Sequence, residues 1–501
     1  MTVPPQQVLR VPSHIAARGL TQDSKKFLFL VMLLSAMAAG MGWGIRGQYG
    51  HETGAMIAGT LAALTLVMLF IPQASSLAAA RAAAMMTVAI GIGGSMTYGQ
   101  TVGLTHDQEL LGNWEALRWG MTGLLIKGGL WIGFAGVFLG MGLGGKRYGP
   151  FEMAGVILVL VGLMFLGIWL INSPFDPTNK RLPLIYFSDH WYFEPERELQ
   201  PRMEIWGGYL LALVALICYV RCVRHDRLAF RMALVGMLAG GLGFTGGQAV
   251  QAFYRWNPEV FSNGVLSVLS DYFRYFNWWN MMETIFGAIW GAVIAMGLWF
   301  NRRWIEVDSF DNRIDISLPV ELLFCAMHCG LLFTAEFAEL PAAFSLLGEY
   351  AEFGLILSML PLIGIVGGRL WPYLMLLTIV IAPISGKTVR TASYANEIVS
   401  RSMGWLVLVG IPLALSLGVA IWLIYRSSRR QATHRFAAVG LLVTSWLFFG
   451  LNTVVFDYAW PWKEWTFRTP NQLVFVICTI LLTITAFIWS WPNQEDHDAL
   501  L

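Results

Sequence analysis

Charge is scarce in this chain: Asp, Glu, Lys and Arg together make up 13% of its 501 residues, and the five cysteines are spread thinly. So little charge excludes an ordinary soluble enzyme, whose surface needs roughly twice as many charged residues. Cys218, Cys222, Cys325, Cys329 and Cys478 all fall inside apolar stretches. None lies where an outer loop is expected, so a disulfide framework is not implied. No G-x-x-x-x-G-K-[ST] phosphate loop is present, so the chain does not itself drive work by nucleotide hydrolysis, and no G-x-S-x-G elbow provides a serine nucleophile. Its basic residues are spread over loop ends, which leaves nucleic-acid binding unsupported. No cofactor motif is found.

What the chain does have is hydrophobic length. With 56% hydrophobic residues it repeats apolar runs of about twenty, the length that crosses a ~30 Å hydrocarbon layer. The runs are continuous and rich in Leu, Ala, Gly and Met, which excludes the alternating short strands of a β-barrel. The expected fold is an all-α polytopic transmembrane bundle of about fourteen helices. Residues 1–26 are expected as a cytoplasmic segment, 27–491 as one integral-membrane domain with larger outer loops at 173–204 and 249–278, and 492–501 as a cytoplasmic tail. Compact basic clusters at Lys25 and Lys26, Lys146 and Arg147, Arg221 to Arg231, Arg302 and Arg303, and Arg426 to Arg435 alternate with these runs. By the positive-inside rule both termini then face the cytoplasm of an inner (plasma) membrane.

The first apolar run ends in GWGIRGQYGHETG, residues 42–54, with Arg46, Gln48, His51 and Glu52 among its glycines. Its MGWGIRGQ (41–48) aligns with GGSMTYGQ (93–100) and GLGFTGGQ (241–248), and each copy is expected to close a span at its outer end. Trp119 and Trp131 recur as Trp278 and Trp290 with the same spacing, in the spans that return from the second and third copies. The repeat unit therefore reads as a helical hairpin, an internal symmetry common in transporters. The alternative is close packing, since glycines let membrane helices approach and glutamine caps their ends.

Polar chemistry collects at the expected outer ends: Arg46, Gln48, His51, Gln100, Asp107, Trp114, Asp189, His190, Gln248, Trp278 and Asn280 are candidate solute-binding residues. Glu52, Glu115, Glu283 and Glu336 sit beside or within apolar runs, where an ionisable group is costly and faces a cavity or a partner. They are the candidate catalytic or coupling carboxylates, and with Gln48, Gln100 and Gln248 are expected to line one outward vestibule. Arg46, Arg118 and Lys127 are available as partners, so a structural ion-pair network is the competing reading. The neighbours His51-Glu52, His106-Asp107 and Asp189-His190 offer imidazole and carboxylate, but no recognised metal-ligand spacing joins them, and no metal is assigned.

Aromatic rings among amides and carboxylates suit a sugar-like or glycan-bearing solute. Two functions follow: a secondary transporter coupled to protons or sodium, or a membrane-embedded glycosidase or transferase using paired carboxylates on its outer face. A scaffold without chemistry would need neither the Gly-Gln ends nor the acids.

Overall fold

The computed structural model describes residues 24–490 apart from 51, 73, 189, 191–192, 194–200, 264, 307–311, 338–354 and 428–432. Among the described residues there is no strand, only helices and one isolated antiparallel bridge between Asp176 and Arg181. The main helices are α1 (Lys25–Arg46), α2 (Glu52–Phe70), α3 (Ser76–Ile92), the short α4 (Gly99–Gly103), α5 (Trp114–Leu143), α6 (Pro150–Ile171), α7 (Trp206–Val223), α8 (Arg227–Trp256) and α9 (Trp278–Phe300). They continue with α10 (Leu318–Phe337), α11 (Leu355–Gly367), α12 (Trp371–Ala395), α13 (Arg401–Ser427), α14 (Thr433–Val455) and α15 (Thr469–Ser490).

Eleven of these are long and apolar enough to cross a membrane, compatible with a multi-pass membrane protein. The shorter apolar α3 and α10 and the brief α11 lie where further spans were expected, so length and composition alone support eleven.

Local signals start the helices where the sequence allows. Asn113 accepts hydrogen bonds from the Glu115 and Ala116 amides to begin α5, Asn277 accepts from Asn280 N at the head of α9, and Asp226 accepts from Ala229 N at the head of α8.

Depth in the bundle differs sharply between helices. The apolar window of α2 is 100% buried, so this helix is the axis, whereas those of α6 and α13 are each 28% buried. Phe151 on α6 is 95% exposed and Trp169 66%, as on a face turned to lipid. Around α2 stand α1, α3 and α14, and α9 joins α1 to α8, which in turn packs on α5.

Glycine makes those contacts close. A Cβ on Gly240 of α8 would run into the Gly128 carbonyl of α5, and one on Gly236 would meet that of Ile132. Gly287 and Gly291 of α9 likewise lie against the Ala39 and Ser35 carbonyls of α1. Backbone touching backbone is the route by which helices associate where no hydrophobic effect separates them from lipid.

One expectation needs correction. The third Gly-Gln does not end a helix: α8 runs through Gly247-Gln248 for two further turns to Trp256, with Gly247 packed against the Met282 carbonyl of α9. The connection that follows, expected as an outer loop at 249–278, carries short helical segments at Pro258–Asn263, Val265–Leu269 and Ser270–Phe273.

Candidate functional site

The end of the bundle where α1 stops and α2 starts is called the upper end here. There the Tyr49 amide donates to the Arg46 carbonyl and Gly50 takes φ +82°, which turns the chain within four residues. The last helical residue before this turn, Arg46, is 2% exposed. On the facing helix, α9 places Asn280 and Glu283 on one side in its first two turns, and Glu283 is also 2% exposed. Between them comes the broken end of α3: a 3-10 turn at Gly93–Ser95, two residues of irregular chain, then Tyr98 as the residue before α4. That break aims the Tyr98 ring inward.

These residues form one network. Arg46 Nη1 donates to Tyr98 Oη, and Tyr98 Oη donates to Glu283 Oε1 at 3.0 Å. Arg46 Nη1 lies 3.8 Å from the same carboxylate oxygen. Trp279 Nε1 donates to Glu283 Oε1 at 3.2 Å, and Asn280 Nδ2 donates to Glu283 Oε2 at 3.2 Å and to the Gly44 carbonyl. Three rings, Trp43, Tyr98 and Trp131, stand 5.2, 5.1 and 5.6 Å from the guanidinium carbon, a cation–π cage. Gly47 completes the fit, since a Cβ there would be 2.8 Å from Glu283 Oε2. The charges are thus paired and hydrogen-bonded, the condition for holding them in an apolar interior.

The network is not closed on all sides. Asn280 Oδ1 is buried and, among the described residues, has no hydrogen-bond partner. On α15, Phe475 packs over Gly44 beside Thr284, and Asn471, one turn earlier on that face, is 1% exposed with neither amide atom partnered. At the head of the same helix, Arg468 lies within electrostatic reach of Glu283, its guanidinium 4.0 Å from the Phe456 ring and its Nε buried without a partner.

A second buried pair joins Lys127 of α5 to Glu204, at 3.2 Å and with exposures of 2% and 0%. Lys127 Nζ also donates to the Thr97 carbonyl at 2.7 Å and to Thr101 Oγ1 at 2.9 Å. Glu204 accepts from Ser188 Oγ at 3.0 Å and from Trp206 Nε1 at 3.2 Å. The segment before α7 therefore folds back into the bundle to neutralise a lysine.

Beside the network an open pocket of about 540 Å³ is lined by His106, Asp107, Gln251, Tyr254, Arg255 and Trp278 among others. His106 Nδ1 faces the Val102 carbonyl at 3.0 Å, which makes that nitrogen the donor. Burial holds the His106 imidazole below its ordinary value, against smaller opposing effects of that bond and of Asp107. Asp107 Oδ2 is 2.6 Å from His190 Nε2. Trp279 stands between pocket and network, its ring near His106 and stacked on Tyr98, 6.4 and 6.3 Å between centroids.

The expected site residues are distributed as follows. Arg46, Asn280 and Glu283 come together. Asp107 and Trp278 line the pocket, where Trp278 stacks on Tyr254 at 4.0 Å, and His190 reaches it only through its pairing with Asp107. Gln248 is fully buried behind it, donating to Thr105 Oγ1 at 2.6 Å with its Oε1 unpartnered, and Gln100 is half-buried. Gln48 and Glu115 are exposed, Glu52 opens α2 half-buried, and Trp114 is exposed against Trp256. His51 and Asp189 lie outside the described residues, and Glu336 belongs to α10 but its side chain is not among those described. Among the described side chains, Glu52, Glu115 and Glu283 and the three glutamines do not gather in a single vestibule. No three His, Cys, Asp or Glu side chains converge as a metal would need, again among the described residues.

Sequence reasoning missed Tyr98, Trp279, Arg468 and Asn471 as site residues, and read Glu204 only as a loop acid. Two of them carried a signal: Asn471 and Gln472 interrupt the last apolar run, and Tyr98 stands beside a flagged Gly-Gln.

Comparison of the chain with protein-family models, characterised proteins and solved structures finds no match.

Proposed function

We propose that the protein is a secondary transporter of a small polar solute, with the Arg46–Glu283 network as its solute and coupling-ion site. The observation that carries this reading is a carboxylate and a guanidinium buried between apolar helices, beside the Asn280 amide oxygen, which has no partner among the described residues. Such groups cost stability, and they are retained where something else completes them. The pocket outside Trp279 is then the vestibule, and the Trp279 ring, bonded to Glu283, is the barrier between vestibule and site.

The upper end is read as extracytoplasmic and the membrane as the inner (plasma) membrane. This is supported by the basic residues at the other end, Lys25, Lys26, Lys146, Arg147, Arg224, Arg302 and Arg303. Counting α3, α10 and α11 as spans gives fourteen, with both termini inside. The hairpin repeat draws support from Trp131 and Trp290, both packed edge-on against Trp43 at 5.1 and 6.2 Å.

The enzyme reading needs two carboxylates flanking a bond. Around Glu283 the described partners are donors, namely Arg46, Tyr98, Trp279 and Asn280, which favours binding over acid–base hydrolysis.

The test is reconstitution of the full chain into sealed vesicles with labelled sugars and sugar acids outside. Accumulation of intact solute, lost in Glu283→Gln, is expected. Modified product remaining outside, with nothing accumulated, would replace the transporter by the enzyme.

A further inference from the structure

The polar groups left over beside the network point to a solute class, an inference that rests on the transporter reading above. Arg46 pairs with Glu283 at 3.8 Å, and Arg468 lies within electrostatic reach of the same carboxylate. Lys387, the next cation along this end, gives its Nζ to the Tyr49 carbonyl at 2.7 Å and to Thr53 Oγ1 at 2.9 Å. Among the described residues Arg468 makes no ion pair; its guanidinium is instead held against the Phe456 and Phe467 rings, 4.0 and 5.4 Å away. A half-buried guanidinium packed on phenyl rings is partly stripped of water, which raises its demand for an anion.

The unpartnered amides add direction. Arg468 is the residue before α15 and Asn471 lies in its first turn, on the face of Phe475, which packs over Gly44. Among the described residues Asn471 Nδ2 is a donor without an acceptor, and Asn471 Oδ1 and Asn280 Oδ1 are acceptors without a donor. A cation with an amide donor fits a carboxylate, and two amide oxygens fit hydroxyl groups on the same molecule.

We propose that the site takes a small hydroxylated carboxylate, such as a hydroxy acid or sugar acid, with Arg468 and Asn471 holding its carboxylate. The bound anion supplies Arg468 with the charge partner it does not have among the described residues. A neutral sugar would leave Arg468 unmatched.

The experiment uses the purified full chain in detergent and its thermal midpoint, with lactate, succinate and D-glucuronate as probes against glycerol and D-glucose. At least one carboxylate is expected to raise the midpoint while the neutral compounds do not. Its apparent affinity should fall about tenfold or more in Arg468→Gln, as for loss of a desolvated charge partner, and recover in part in Arg468→Lys. No carboxylate shift in the wild type, or an equal shift in Arg468→Gln, overturns the proposal. Binding without uptake in vesicles would sink the transporter and leave the anion site standing. Uptake of neutral sugar without carboxylate binding would do the reverse.

Discussion

Lys127–Glu204 and Arg46–Glu283 are both ion pairs buried to within a few per cent, yet they differ in what is left over. At the first, every donor of the ammonium has an acceptor in Glu204, the Thr97 carbonyl or Thr101, and the carboxylate is further held by Ser188 and Trp206. Nothing remains for a ligand to do. At the second, the carboxylate is held by Arg46, Tyr98, Trp279 and Asn280, but among the described residues Asn280 Oδ1, both amide atoms of Asn471 and Arg468 Nε at this end have no hydrogen-bond partner. Burial of a charge therefore does not by itself mark function. On the proposed reading the unmet polar groups beside it do, because each such group costs stability that packing alone would remove.

The comparison breaks most visibly at the closed pair. Glu204→Ala strands the Lys127 ammonium in an apolar interior, and the expected loss is about 3–5 kcal/mol, read as a lowered thermal midpoint or a fall in folded yield. Exchanging both partners, Lys127→Met with Glu204→Gln, should recover most of it, since the cost lies in the unpaired charge. If Glu204→Ala melts within about 1 kcal/mol of the wild type, the pair is not the clasp its geometry implies.

At the open pair the sign should reverse. Asn471→Leu removes two unpartnered polar atoms from a buried position at nearly constant volume. It is expected to leave stability unchanged or raise it by about 1 kcal/mol, and to lower solute uptake in vesicles. A destabilised protein with normal uptake would make Asn471 a structural residue and erase the distinction between the two pairs.

How much of this was legible in the sequence follows from the kind of information each feature needs. Helices are written locally: twenty apolar residues, an asparagine at the head of α5 or α9, glycines where backbones touch. Glu283 and Lys127 were visible as charges inside such runs, and Arg46 as the polar end of the first. Their partners were not, because Arg46, Tyr98, Glu283 and Arg468 come from four distant stretches, and a periodicity says which face a residue is on without saying which helix it meets. Glu204 looked like one loop acid among several until the chain folded back to Lys127. The Gly-Gln element drew the eye to glutamine, but at the network its neighbours matter: Gly47 makes room for Glu283 and Tyr98 bonds it, while Gln48 is exposed.

The smallest expected effect sharpens the comparison at the vestibule. His106 lines the pocket outside Trp279 with Asp107, His190 and Arg255 as charged or titratable neighbours, and burial lowers its pKa from an ordinary 6.5. The folded protein thus binds this proton less readily than the unfolded chain does. Where the unfolded state holds more protons, stability rises with pH; His106 therefore costs nothing above the ordinary imidazole value and destabilises progressively as pH falls below it. His106→Gln keeps a polar side chain without the titration, so the fall in thermal midpoint from about pH 7 to about pH 5.5 should become shallower, by an amount of order 1 kcal/mol or less. An unchanged slope would mean that protons at this end of the bundle are taken up elsewhere. Since His106 touches the ring of Trp279 and not Glu283 itself, the variant should leave carboxylate affinity at Arg468 within about twofold of the wild type, separating vestibule from site.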